Sequence, residues 1–405
     1  MFILRHPAQA IALVSGIALA GLPGSVAHAE TLHQLVEAAA QRIPELAVIE
    51  ARRDTAAAKR TAAAAFTPGP PVLGGRYITD QVVRNRKARE AEISVSTPLW
   101  LPGEGSASRR VADAEFARLA AQEAALKLKV AGQVREAAAN VVFAQSDLRV
   151  AEKRFRDART LEADVARRVA ARDLAEADLL TSRADRITAD AELREKRLAL
   201  DQARIELASI TGLSVTEVTL QEPEPPKDAT PHPRLGEGRS AMDLARANLG
   251  LVNTQSRENP EIGLVGRHAR DINGTQWNTS VGVELRIPFG NESRNAPRRT
   301  AALADVAEAT AGHLAVEREI EAEQRKTRVA FDNAVVQRDL ARDRAAVLAR
   351  QRELAEVSYR QGQTGLPDLI RVRALASEAE AGAERAKIGI AQARGKLNQS
   401  LGITP

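Results

Sequence analysis

Histidine, cysteine and paired carboxylates are the residue types that most often carry chemistry, and in this sequence of 405 residues none of them is arranged to do so. Cysteine is absent, which removes disulfides and any lipid anchor on an N-terminal cysteine. His33, His232, His268 and His313 are scattered without the close pairs of a metal site, and read as isolated structural or surface residues. No phosphate-binding glycine loop, nucleophile constellation or catalytic carboxylate pair stands out from the charges of solvated helices. The sequence therefore points away from an enzyme, and it asks for no metal and no cofactor. The spacing that does carry physical chemistry is an alternation. Val281, Val283, Leu285 and Ile287 alternate with Ser280, Gly282, Glu284 and Arg286, the two-residue period of a strand with one apolar and one mostly polar face. Such a strand sorts two solvents, with lipid on the valine side and a wet lumen on the side of Ser280, Glu284 and Arg286.

The elements that must position this strand occur twice. Pro98 and Pro288 lie 190 residues apart, and the same offset pairs Ile93 with Val283, Val95 with Leu285, Arg109 with Arg299, Asp178 with Asp368 and Gly212 with Gly402. This is a gapless internal duplication. An export signal is expected over 1–29, where Arg5 precedes an apolar run ending near Leu22 and Ala27-His28-Ala29 supplies the small residues before a cut. A first repeat over 30–221, an exposed proline-rich linker over 222–235 and a second repeat over 236–405 follow. No other stretch has the apolar length of a membrane helix, so any entry into a membrane is by strands.

Within each repeat the pattern predicts a short helix, two strands, a long helix and a return helix of half its length. The strands fall at Val72 to Val83, Glu92 to Leu99, Glu261 to Arg270 and Trp277 to Phe289. The long helices run from Gly105 to about Ala170 and from Ala296 to Arg360, with Pro297 in the first turn. The second short helix is expected from Ser240 to Gln255. On the first long helix Val130, Val134, Ala137, Val141, Ala144, Leu148 and Ala151 recur at spacings of four and three, a heptad seam in which alanine lets helices approach closely. Each long helix is a rod of about 100 Å. With 3% aromatics, long thin helices suit the composition better than large globular cores. The net charge of +5 is the small difference between 58 basic and 53 acidic residues, and no basic block is interleaved with stacking aromatics, which argues against nucleic acid.

Four strands cannot close, and an open sheet edge in lipid leaves backbone groups unpaired at several kcal/mol each. Three copies would supply twelve strands, enough for a barrel, with the helices continuing the wall. The expected fold is thus mainly α with a small β part, a trimer of internally duplicated long-helix hairpins in which a 12-stranded membrane β-barrel is continued by a helical tube. Trp100 and Trp277 fall in the strand regions, as interfacial belt residues or as core residues.

The duplication, the junctions TPLWLPGEGSASRR and RIPFGNESRNAPRR, and the turn YRQGQTGLPDLIRVRA at 359–374 resemble the TolC-like outer-membrane efflux factors across nearly all of the mature chain. The resemblance implies a homotrimer in the outer membrane of a Gram-negative bacterium, with an outer-membrane β-barrel above a long periplasmic α-barrel, docked on a periplasmic adaptor that joins it to an inner-membrane pump of the proton-driven RND type. The second junction looks more like the heavy-metal cation branch, the partners of cobalt-zinc-cadmium exporters, than the drug branch. The family's hairpin-tip motif falls on Arg360, Gly362, Gly365 and Leu366, and reads either as an adaptor-docking tip or as a tight helix turn. The first copy has Arg172 and Ala175 in place of the two glycines, which implies a differently shaped tip. The family's acidic periplasmic gate matches Asp368, but Arg371 stands at the next position. A threefold ring of Asp368 favours cations, a pairing with Arg371 across the mouth latches it, and a pairing within one chain does neither. A duct for drugs or a secreted protein, a periplasmic adaptor and a coiled-coil scaffold are the competing readings. The two hairpins speak against an adaptor, which has one.

Overall fold

The structure, a computed structural model, describes residues 30–83, 86–225, 231–272, 274, 276–289 and 292–405. The expected export signal and residues 226–230 of the linker lie outside the described residues. In chain order the elements are β1 (Glu30–Thr31), α1 (Leu32–Ala40), α2 (Pro44–Ala63), β2 (Val72–Thr79), β3 (Arg89–Pro98), α3 (Glu104–Ala170), α4 (Glu176–Thr211), β4 (Val218–Thr219), α5 (Pro233–Thr254), β5 (Glu261–Arg270), β6 (Asn278–Arg286), α6 (Glu292–Arg360) and α7 (Leu366–Ser400). Shifted by 190, the elements α2, β2, β3, α3 and α4 coincide within two residues at their starts with α5, β5, β6, α6 and α7. The segment around α1 and the strand β4 have no counterpart among the described residues.

Four helices lie abreast at every level. Next to the strands the order is α2, α3, α5, α6; beyond mid-height it is α4, α3, α7, α6. The short helices of each repeat therefore stack end to end beside an unbroken long one, as the lengths suggested. The heptad seam of α3 is the reason α3 sits inside the layer, with Val130, Val134, Ala137, Val141 and Ala151 all buried. Ala131, Ala138 and Ala139 widen that buried stripe at little volume, so neighbours pack close on more than one side.

At mid-height α1 folds against this seam. A capping box between Thr31 and Gln34 starts it, and Leu32, Leu35, Val36 and Ala39 face inward. They join Val134, Leu200, Leu207 and Leu220 in the largest core, where each fully buried Leu or Val contributes about 1.5 to 3 kcal/mol. The small parallel pair β1 and β4 closes its edge.

Several expectations are corrected. The stretch beginning at Glu222 is not a solvated linker at its first residue: Glu222 is buried, held by Arg135 of α3 and Asn398 of α7. The second short helix begins at Pro233 rather than Ser240, because Pro233 occupies the first turn and the His232 ring accepts from the Arg234 amide as its cap. Helix α6 begins before Pro297, which sits inside it and leaves the Ser293 carbonyl without its usual intrahelical donor. Strands β2 and β6 stop short of Val83 and Phe289, and Ile287 lies past the end of β6.

Candidate channel wall and helical tips

The four longer strands form one antiparallel sheet, ordered β2-β3-β5-β6. The joint between the two hairpins is the β3 and β5 pairing, which runs in register from Arg89 and Arg270 to Pro98 and Glu261. Because alternate residues share a face, the register sorts side chains into two surfaces. One carries the row Leu73, Val95, Leu264, Val283 straight across the sheet, flanked by Ile93 with Val281 and by Ile262 with Leu285. Val281 and Val283 are 80% and 72% exposed, so nothing among the described residues covers them.

The opposite surface carries Ser280, Glu284 and Arg286 together with Arg76, Glu90, Glu92, Glu261 and Arg267. Its charges pair across strands. Arg76 meets Glu92 at 2.7 Å, Arg267 meets Glu90 at 2.7 Å, and Arg286 meets both Glu261 and Glu284 at 3.2 Å. The polar file of β6 was visible in the sequence, but the cross-strand partners were not, since they depend on strand register, and Arg267 and Glu90 lie 177 positions apart. Strands β2 and β6 are the sheet's two open edges.

Hairpin tips close the far ends of the helices. At the second tip Gly362 has φ +73°, and the Gln361 and Gln363 amides bond back to Val357 and Ser358. The first tip has the same backbone: Arg172 has φ +68°, and the Ala171 and Asp173 amides bond back to Arg167 and Arg168. The expectation of a differently shaped first tip is therefore corrected. Arg172 takes the left-handed conformation that glycine takes more cheaply, at a cost of about 1 kcal/mol. Arg360, Gly362 and Gly365 are exposed, whereas Leu366 is buried, packed with Leu161, Val165, Tyr359 and Leu369 between the two tips. Leu366 thus holds the tip from within and is not open to a docking partner.

Asp368 lies in the first turn of α7, where the helix dipole favours a carboxylate. Arg371 pairs with it at 3.4 Å within the same helix, and both are largely exposed. An exposed pair of this kind contributes about 0 to 1 kcal/mol.

Stronger electrostatics lie between the hairpins, at residues the sequence did not single out. Arg385 of α7 grips Asp147 of α3 with two bonds of 2.7 and 2.6 Å, and Lys153 of α3 meets Glu380 of α7 at 2.6 Å. Nearby, burial pushes the Asp185 carboxyl above its ordinary value against the opposing pull of Arg154 and Arg373. Burial likewise raises the Tyr359 phenol, whose hydroxyl has no hydrogen-bond partner among the described residues. At mid-height Arg135 donates from Nε and Nη2 to Glu222, both at 2.8 Å, from Nη1 to Gln399 and from Nη2 to the Ile403 carbonyl. Glycines make room for this cluster: a Cβ on Gly395 would stand 3.1 Å from Glu222 Oε1, and one on Gly132 3.0 Å from Gln399.

Among the described residues no helix is long and apolar enough to cross a membrane, and no group of three or more His, Asp or Glu is placed to hold a metal ion. Solved structures share this fold. The likeness extends over 92% of this chain in each case: the Campylobacter jejuni CmeC outer membrane channel is similar at 16% identity and TM-score 0.72 over 85% of its length. VceC, an outer membrane protein of Vibrio cholerae, matches at 15% identity and TM-score 0.73 over 96% of its length. The fold is that of outer-membrane channels. CusC shares it at 16% identity and TM-score 0.72 over 92% of its length. No family model matches the sequence, and no curated protein does.

Proposed function

We propose that this chain is one of three identical subunits of an outer-membrane exit duct, which passively conducts solute delivered by an inner-membrane pump through a periplasmic adaptor. The observation that carries the proposal is an incomplete wall. Strands β2 and β6 are open edges, and the helical layer is open on the same two sides. Helix α4 exposes Leu180, Ile187, Leu198 and Ile205, and helix α6 exposes Val329, Val336, Leu340, Val347 and Leu354. Both stripes step mainly by seven, which suits pairing of α4 with α6 of the next copy. Three copies close both layers at once, giving twelve strands with lipid outside and the paired Arg and Glu ladders facing the lumen.

The tips at Arg360, Gly362 and Gly365 then face the adaptor, and Asp368 lines the periplasmic mouth, its charge offset by Arg371. For cargo we infer heavy-metal cations, on the strength of the junction RIPFGNESRNAPRR; drugs or a secreted protein would use the same wall. The mass of the detergent-solubilised particle from outer membranes tests the assembly. A particle of three processed chains is expected, and a soluble periplasmic monomer would refute the duct in favour of a scaffold. Loss of metal tolerance on deletion tests the cargo, and a deletion strain sensitised only to drugs would refute it.

A further inference from the structure

Resting on the barrel reading, we propose that the outward face of the sheet, at its turn end, binds phosphate groups of anionic membrane lipid through Arg89, Arg270 and Lys87. Arg89 and Arg270 stand directly opposite each other in the β3 and β5 register, on the same face as Ile93, Val95 and Leu264. Like charges so placed repel each other across a strand pair.

On the inward face every arginine of the strands meets a glutamate within 3.2 Å. On the outward face the pattern is broken: among the described residues neither Arg89 nor Arg270 nor Lys87 has a carboxylate partner. Arg89 Nε is buried with no hydrogen-bond partner among the described residues. Arg270 is held in place without being neutralised. Its Nε donates to the Lys87 carbonyl at 3.0 Å, which keeps Lys87 beside it, and its guanidinium lies 5.2 Å over the Trp277 ring. Trp277 is in turn stacked on His268 at 4.5 Å with the rings 1° from parallel. An aromatic platform under an unpaired guanidinium is an arrangement for holding a planar fork toward an anion, and phosphate matches that fork with two parallel bonds.

The height agrees. Arg89 lies about 20 Å along the strand from the Val95 row, or about 15 Å along the barrel axis at a tilt of about 40°. If that row lies near mid-membrane, this is half the hydrocarbon thickness of about 30 Å. The cluster therefore meets headgroups, with Trp277 at the level of an interfacial belt.

The test is the thermal midpoint of the purified trimer in neutral detergent, with phosphatidic acid, phosphatidylcholine or inorganic phosphate added. Phosphatidic acid is expected to raise the midpoint, while phosphatidylcholine leaves it unchanged. The R89Q/R270Q variant should lose that rise, and R194Q/R350Q, which removes two exposed helix arginines, should keep it. A rise retained in R89Q/R270Q, or matched by phosphatidylcholine, overturns the proposal. A rise matched by inorganic phosphate shows a free-anion site and also overturns it. A soluble monomer would sink the barrel reading with it, whereas a membrane trimer indifferent to phosphatidic acid sinks this inference alone.

Discussion

Replacing Arg135 with alanine should cost more stability than any exposed charge in the chain. The side chains of Arg135 and Glu222 are 8% and 2% exposed, so neither group can recover water if the other is lost. Truncation removes two bonds to Glu222 and one each to Gln399 and the Ile403 carbonyl, leaving a buried carboxylate with the Asn398 amide as its remaining side-chain donor. Breaking a buried pair from one side costs about 3 to 5 kcal/mol, whereas removing both charges for apolar groups of similar size is often near neutral. R135A should therefore lose about 3 kcal/mol or more, and R135M/E222M should recover most of it. Urea unfolding followed by far-UV circular dichroism on the solubilised particle reads both, with R371A as the exposed control at less than about 1 kcal/mol. A loss of under about 1 kcal/mol in R135A would refute the reasoning, since Glu222 would then be finding water that the structure denies it.

V283R, at the β6 end of the apolar row, should impair membrane assembly by about 2 to 4 kcal/mol per chain, while S280R on the opposite face should assemble; equal recovery of both from outer membranes would contradict the assignment of faces. At the tips R172G should stabilise and G362A destabilise, each by about 1 kcal/mol, because one relieves and the other creates a left-handed non-glycine residue. Limited proteolysis of the two turns reads this, and opposite signs at the two sites are the outcome required. His232 titrates below its ordinary value, first because it is buried and then because Arg234 is near. Above pH about 6.5 both folded and unfolded chains hold it neutral; as pH falls below that, the unfolded chain takes the proton first, so stability declines. H232N, which keeps an acceptor for the cap, should flatten the stability profile below about pH 6.5, and an unchanged slope would show that another group is responsible.

The duplication made most of the element order legible, because a gapless offset carries each helix and strand of one half onto the other and Pro98 and Pro288 mark equivalent junctions. The strand faces were legible from the alternation at Val281 to Ile287. The parts that were not legible depend on distant partners. Nothing local to Glu222 announces Arg135, 87 positions away, so its proline-rich surroundings read as linker. The pairing of β3 with β5 joins two hairpins across the whole first helical unit. Arg172 was misjudged for a different reason: side-chain identity suggested a new turn, but the backbone bonds shared with the second tip outweigh a strain of about 1 kcal/mol.

Helices α3 and α6 run unbroken from the sheet to the tips, while the columns beside them are each made of two pieces that meet at mid-height. A load applied at the tips is thus carried to the sheet by two rigid struts and by two jointed ones. The Arg135 cluster ties the α7 end of one joint to the strut α3. At that level the interruption in the jointed column is bridged by side chains anchored on an unbroken strut.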